Sequence, residues 1–244
     1  MAPFKIGEVS KTWSDKSQIP VWYQGEATST NSVAKEIVIS ESPVTLYLTD
    51  HQTNGRGRGG NSWSNVPEGK ALLSSWVFVT RKAPQPVLSP AIGLAVWTAF
   101  KASFPWLKFS LKAPNDLFLE DRKLAGILIE NIPQTTKQGN YNRLIVGLGV
   151  NVFEAPTSSV DTSIALADRL PNELNQETWF NVLDRLLLEI SLAVSQTKET
   201  LTPAQTQALL HALNRHPFQE VPYRQVDPDG CLWKGEQKTN WSEL

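Results

Sequence analysis

Between Asp50 and Ser64, four glycines (Gly55, Gly57, Gly59 and Gly60) alternate with Arg56 and Arg58 and lead to Trp63. Glycine lets backbone fold closely over a ligand. Arginine offers a fixed cationic fork for phosphate or carboxylate. Tryptophan offers a flat face for a purine or for core packing. Val44, Leu46 and Leu48 alternate just before the loop, so it hangs from the end of a strand. Gly55-x-Gly57-x-x-Gly60 formally matches a dinucleotide fingerprint, but that motif needs a helix directly after it. Ser62 to Gly69 is turn-rich instead. An arginine-glycine segment that binds RNA would show repeats and a basic excess, and neither is present. A mobile anion-binding loop and a plain surface loop remain. The second leaves two arginines among four glycines unexplained, and the loop alone does not decide.

A second stretch makes the first specific. Lys112-Ala-Pro-Asn-Asp116 is followed by Lys123-Leu-Ala-Gly-Ile-Leu128 and closes on Glu130. This closely resembles the signature of biotin protein ligases, in which a Lys-(Trp)-Pro-Asn-Asp segment precedes a Lys-x-x-Gly-Ile-Leu strand. The order of Ser29-Thr30-Asn31, Gln52 to Arg58, these two segments and Gly147-x-Gly-x-Asn151 also matches that family. The resemblance runs from about Val21 to Phe153.

It implies two half-reactions. The carboxylate of biotin attacks the α-phosphate of ATP, giving biotinyl-5′-AMP and pyrophosphate. A lysine amine on a biotin carboxyl carrier protein, or on the carrier domain of acetyl-CoA carboxylase, then takes the acyl group. The first step pushes an anion against a polyanion, so it needs cations where charge develops and Mg²⁺ on the pyrophosphate. The resemblance places Lys123 between the carboxylate and the phosphate, with Lys112, Arg58 and Asp116 as further catalytic groups. Asp116 would hold Mg²⁺ or accept the incoming lysine's proton; capping of the turn after Pro114 is its plainer reading. Biotin falls to Ser29, Thr30, Asn31, Gln52, Gly55, Arg56, Gly57, Gly126, Leu128 and Gly147. Gln52 would pair with the ureido ring, which cannot be buried unpaired. The nucleotide falls to Arg56, Arg58, Trp63, Asn115 and Asn151. On the residues alone, Ser29 to Asn31 could simply cap a helix, and Trp63 could simply anchor its loop.

Two positions depart from the family pattern. Asn61 stands where the motif usually carries another arginine, and Ala113 stands where it usually carries tryptophan. The first removes a cation from the cover over the adenylate. The second removes packing surface near the biotin wall.

The elements that must position these residues follow from periodicity. Strands are expected at Val21–Gln24, Leu72–Thr80, Leu124–Ile129 and Leu144–Val152, with Asn131 to Asn142 as a polar turn region. Helices are expected from Ser29–Asn31, from Ser89 as N-cap with Pro90 at N1, from Asn175, and from Thr202-Pro203. Beyond Pro217, Tyr223–Val226 and Cys231–Trp233 read as a hairpin around Asp227–Gly230. Too few residues follow for a complete barrel, so a reduced SH3-like remnant is expected at 217–244, after a catalytic domain at 1–216.

The 244 residues carry a formal net charge of −1 and one cysteine, Cys231. That balance gives no reason to expect nucleic acid or an anionic membrane as partner. The single cysteine fits a reducing cytoplasm. The first residues hold no apolar signal core, no run could span a bilayer, and no helix-turn-helix domain is expected before the catalytic part, so the repressor activity of some members of the family it resembles is not expected. His51, His211 and His216 are scattered. The expected protein is α/β of the α+β type: a mixed β-sheet with helices packed on one face, like a class II synthetase. It is expected to act as a monomer or weak homodimer on ATP, biotin and Mg²⁺. The rivals are a lipoate or octanoate transferase of the same fold and a non-catalytic biotin-binding protein.

Overall fold

The computed structural model describes residues 3–40, 42–64, 66–136, 139–157, 162–196 and 199–244. In chain order these form α1 (Ile6–Lys16), β1 (Val21–Ala27), α2 (Thr30–Glu36), β2 (Val44–Gln52), β3 (Ala71–Thr80), α3 (Leu88–Ser103), β4 (Phe109–Lys112), β5 (Asp116–Leu119), β6 (Arg122–Thr136), β7 (Gly139–Asn151), α4 (Gln176–Gln196), α5 (Pro203–Asn214), β8 (Tyr223–Val226), β9 (Leu232–Lys234) and β10 (Gln237–Thr239). The strand order of the main sheet is β1-β2-β3-β7-β6-β5-β4. The β1–β2 pair is parallel, and β2–β3, β3–β7, β6–β7 and β4–β5 are antiparallel. The sheet is therefore mixed, as expected. No helix among the described residues is long and apolar enough to cross a membrane.

The chain divides into two compact units, Met1–Pro84 with Ala125–Phe180, and Gln85–Leu124 with Asn181–Leu244. In the first, side chains alternate across β2 and β3 as the pleat requires. Leu46, Leu48 and Trp76 are fully buried, and the Trp76 ring lies 5.9 Å from that of Trp13 on α1. Tyr47 and Val77 point the other way, where they pack with Ala34 of α2 and with Ile145. The short α2 thus lies on the face opposite α1, so the helices do not all pack on one face as expected. The Trp179 indole at the start of α4 donates to Ser10 Oγ of α1 at 3.0 Å. Apolar burial of this extent is the main favourable term in holding such a unit together.

In the second unit, α3 and α5 pack on β4, with the Trp97 indole donating to the Phe109 carbonyl at 3.2 Å. The Asn214 side chain ties α5 to β8 by accepting from the Tyr223 amide and donating to its carbonyl, each at 2.8 Å. After β10, Trp241 is buried and donates to the Pro114 carbonyl at 2.9 Å.

Three local expectations change. Most of the stretch expected as a turn region between Asn131 and Asn142 is strand: β6 and β7 pair from Ala125↔Val150 to Thr136↔Gly139, Asn131 donates to Asn142 at 3.1 Å, and residues 137–138 lie outside the described residues. Polarity there marks the exposed end of a long ribbon. Ser89 and Pro90 lie inside the first turn of α3, whose N-cap is Val87. Proline is harmless there because first-turn amides lack helical acceptors. The hairpin after Pro217 gains a third strand, β10, giving the order β10-β9-β8. By contrast, Asn175 caps α4 by accepting from the Thr178 amide at 2.8 Å, and Thr202 forms a capping box with Gln205 on α5.

Candidate functional site

The first unit gathers a buried polar cluster where α2 meets the middle of the sheet. Ser29 is the N-cap residue of α2, yet its side chain makes no capping hydrogen bond. The plain capping reading therefore does not account for it. Ser29, Thr30, Asn31, Gln52 and Ser75 are all buried. The Thr30 amide donates to Gln52 Oε1 at 2.8 Å. Ser75 Oγ lies 2.8 Å from Thr30 Oγ1 and donates to Asn31 Oδ1. Asn31 Nδ2 donates to the Leu128 carbonyl at 3.3 Å and to Glu130 Oε2 at 2.9 Å. Buried polar groups must be paired, and here they pair with one another in a fixed pattern.

Sheet register explains why these residues meet. Gly147 is the partner of Ser75 on β3 and of Leu128 on β6. A Cβ at Gly147 would lie 2.9 Å from Asn31 Cγ and closer still to its oxygen. Gly147 is therefore glycine because the Asn31 amide occupies the side-chain position. Two residues on, a Cβ at Gly149 would sit 2.7 Å from Trp63 Cζ2. Gly126 pairs with Gly149 across β6 and β7. Trp63 packs against Val66, Ala71 and Leu73, and Asn151 is buried opposite Ala71.

The glycine-arginine loop is a miniature hairpin. The Trp63 amide donates to the Gly55 carbonyl at 3.0 Å, the Gly57 amide donates to the Asn61 carbonyl at 2.7 Å, and Arg56 bridges Ser62. Arg58 opens the tight turn Arg58–Gly60 at its tip. Asn61 is exposed, and Asn65 lies outside the described residues. Arg56 Nη2 reaches Glu130 Oε1 at 3.2 Å, and Lys35 Nζ reaches the same oxygen at 2.6 Å. Burial works against ionisation of Glu130, but the hydrogen bonds from Lys35 and Asn31 and the charges of Lys35 and Arg56 outweigh it. They hold the carboxyl below its ordinary value.

The second unit carries the remaining candidates. Lys112 and Asp116 are register partners on β4 and β5, joined by the turn that holds Asn115. Lys112 Nζ lies over the Phe118 ring at 5.7 Å. Lys123, at the start of β6, pairs with Asp116 Oδ1 at 2.9 Å. Among the described residues no three His, Cys, Asp or Glu side chains converge on one point. A magnesium ion at Asp116 would thus have fewer than three such protein ligands among the described residues. That fits an ion held mainly by substrate phosphates and water.

Of the residues expected from sequence, Ser29, Thr30, Asn31, Gln52, Gly55, Arg56, Gly57, Arg58, Trp63, Gly126, Leu128, Gly147 and Asn151 fall in the first unit; Lys112, Asn115, Asp116 and Lys123 fall in the second. Sequence reading missed Ser75, Glu130 and Lys35, and gave no role to Gly149 within the Gly147-x-Gly-x-Asn151 motif. Two adjacent serines inside an apolar strand were the available signal for Ser75.

A chain with this sheet and this polar cluster belongs to the biotin/lipoate A/B protein ligase family, whose model matches residues 26–151. It is 32% identical over 163 residues to a biotin–[acetyl-CoA-carboxylase] ligase of Mycobacterium tuberculosis, covering 62% of this chain and 58% of that one. It is 36% identical over 107 residues to the bifunctional ligase/repressor BirA of Escherichia coli, covering 43% of this chain and 32% of that one. The matches thus span a little over half of the first relative and a third of the second. Among solved structures, the biotin protein ligase of Aquifex aeolicus in complex with biotin and ATP superposes with a TM-score of 0.70 at 23% identity, covering 92% of this chain and 97% of that one. At that identity the match establishes the fold.

Proposed function

We propose that this chain activates biotin with ATP as biotinyl-5′-AMP and passes the biotinyl group to a lysine of a biotin carboxyl carrier protein, in the cytoplasm. The observation that carries this reading is the buried hydrogen-bonding cluster of Thr30, Asn31, Gln52 and Ser75. A cyclic urea has two N–H donors and one carbonyl acceptor, and burying it requires such partners. A lipoyl or octanoyl group has no such N–H donors or ring carbonyl and needs none, so the cluster favours biotin over the acyl-transferase reading. The names of the relatives agree with this.

Ser29, Thr30, Asn31 and Gln52 hold the ureido ring, and Gly55, Arg56, Gly57, Gly126, Leu128 and Gly147 shape the wall around it. Trp63, Asn115 and Asn151 contact the nucleotide, with Arg56 and Arg58 on its phosphates. Lys123 meets the biotin carboxylate and the α-phosphate as charge passes between them. Lys112 offsets charge on the departing pyrophosphate. Magnesium, when bound, neutralises the phosphates, and Asp116 is the carboxylate able to hold it. Asp116 already forms an ion pair with Lys123 at 2.9 Å, so it also sets where that ammonium sits. The strands β8 to β10 are read as the reduced remnant of an SH3-like domain.

The test is incubation with ATP, magnesium, biotin and a carrier domain, followed by mass measurement. One biotinyl group should be added to the carrier's acceptor lysine. A carrier of unchanged mass, with folded protein and intact ATP, refutes the proposal.

A further inference from the structure

We propose that Glu130 is a positioning residue that fixes which way round the Asn31 amide sits, so that the ligand ring meets a hydrogen-bond acceptor. This rests on the biotin reading above. An asparagine amide fits its site equally well by shape in either orientation, and only its partners decide. Nδ2 faces the Leu128 carbonyl and Glu130 Oε2, and both can only accept. Oδ1 faces the hydroxyl of Ser75, which can donate. Turning the amide would set its oxygen against a carbonyl and a carboxylate.

The two oxygens of Glu130 have separate tasks. Oε1 takes Lys35 at 2.6 Å and Arg56 at 3.2 Å, which leaves Oε2 for Asn31. Two cations on one oxygen fix the carboxylate's rotation, and the carboxylate in turn fixes the amide. Gly147 leaves the amide no room to slide, since its missing Cβ is the space Asn31 fills. One lone pair of Asn31 Oδ1 remains after Ser75. A urea N–H is the donor that matches it. Glu130 thus makes the pocket selective for ligands that donate, without touching them.

The experiment is biotin calorimetry on Glu130→Gln, Asn31→Asp and the double variant. In Glu130→Gln the single oxygen is drawn to Lys35 and Arg56, so its N–H₂ faces Asn31. The asparagine amide must then turn and present a donor to the ring. Biotin affinity should fall about tenfold or more, the size expected when a buried donor or acceptor is left mispaired. Asn31→Asp sets two carboxylates face to face and should lose at least as much. In the double variant the glutamine amide introduced at position 130 donates to the aspartate introduced at position 31. The other oxygen of that aspartate accepts from the ring, and the net charge equals that of the wild type. Most of the lost affinity should return. Losses that add, or a Glu130→Gln variant that binds biotin like the wild type, overturn the inference while leaving the biotin reading standing. A wild type that does not bind biotin overturns both. If a single variant fails to fold, the Asn31 side-chain amide resonances of the wild type decide. They must move as Glu130 titrates in acid, and resonances that stay fixed overturn the inference.

Discussion

Gly147 and Gly149 lie two residues apart on one face of β7, yet replacing each with alanine should weaken a different ligand. At Gly147 the added methyl would sit 2.9 Å from Asn31 Cγ and 3.0 Å from Nδ2. Asn31 cannot simply yield, because Ser75, Leu128 and Glu130 hold it. Overpacking of this kind costs about 1–3 kcal/mol of folding stability; separately, a displaced Asn31 leaves a ureido N–H unpaired, which weakens binding by about 1–3 kcal/mol. Biotin affinity should therefore drop by roughly ten- to a hundredfold. At Gly149 the methyl would meet the Trp63 indole at 2.7 and 2.8 Å. That ring lies only partly buried at the root of the glycine-arginine loop, so it can move, and the loop moves with it. ATP affinity should fall while biotin affinity stays within about threefold, a difference under about 1 kcal/mol. Calorimetry with biotin and with a non-hydrolysable ATP analogue separates the two, and thermal melts show that each variant is folded. A folded Gly147→Ala variant with wild-type biotin affinity would refute the reasoning. Equal losses for both ligands in both variants would do the same.

Other expectations follow from the same geometry. Lys123→Ala should slow adenylate formation about 10²–10³-fold, the usual effect of losing one group that stabilises developing charge; pyrophosphate release near the wild-type rate would remove Lys123 from the reacting centre. Gln52→Leu keeps bulk but loses the amide, so biotin binding should weaken by about 1–3 kcal/mol, and unchanged calorimetry would sink the ureido assignment. Glu130 has a depressed carboxyl value in the fold, so its contribution to stability is present above the unfolded value of about 4.3 and is lost as pH falls through the lower folded value. Melting temperatures of the wild type should thus converge on those of Glu130→Gln through that acid window, and parallel curves would contradict the ion-pair account. Asn61→Arg restores a cation beside a loop that already folds on itself, and should slow release of preformed biotinyl-5′-AMP; release at the wild-type rate would mean that Asn61 does not face the ligand.

Periodicity made most of the fold legible. The strands at Val21, Val44 and Leu72 and the helices capped by Asn175 and Thr202 stand where alternation and capping chemistry put them. It failed at Asn131–Thr136 and Gly139–Asn142, because residues on an exposed ribbon carry the same polar composition as a turn. It also failed at Gln237–Thr239, because three residues beside a turn carry no readable period. Candidate site residues stood out in the sequence where they form motifs, as at Gln52 to Arg58 and at Lys112 to Lys123. Ser75 and Glu130 were hidden because their parts depend on register. Only the pairing of Gly147 with Ser75 and Leu128 brings β3 and β6 to one asparagine.

The central claim is that the buried cluster around Asn31 and Gln52 selects a ureido ring. The most direct test offers the protein equal concentrations of biotin, lipoate and octanoate with ATP and magnesium, and identifies the acyl adenylate by mass. Biotinyl-5′-AMP should be the product, and Gln52→Leu should lower its yield. Lipoyl- or octanoyl-AMP as the main product would contradict the claim.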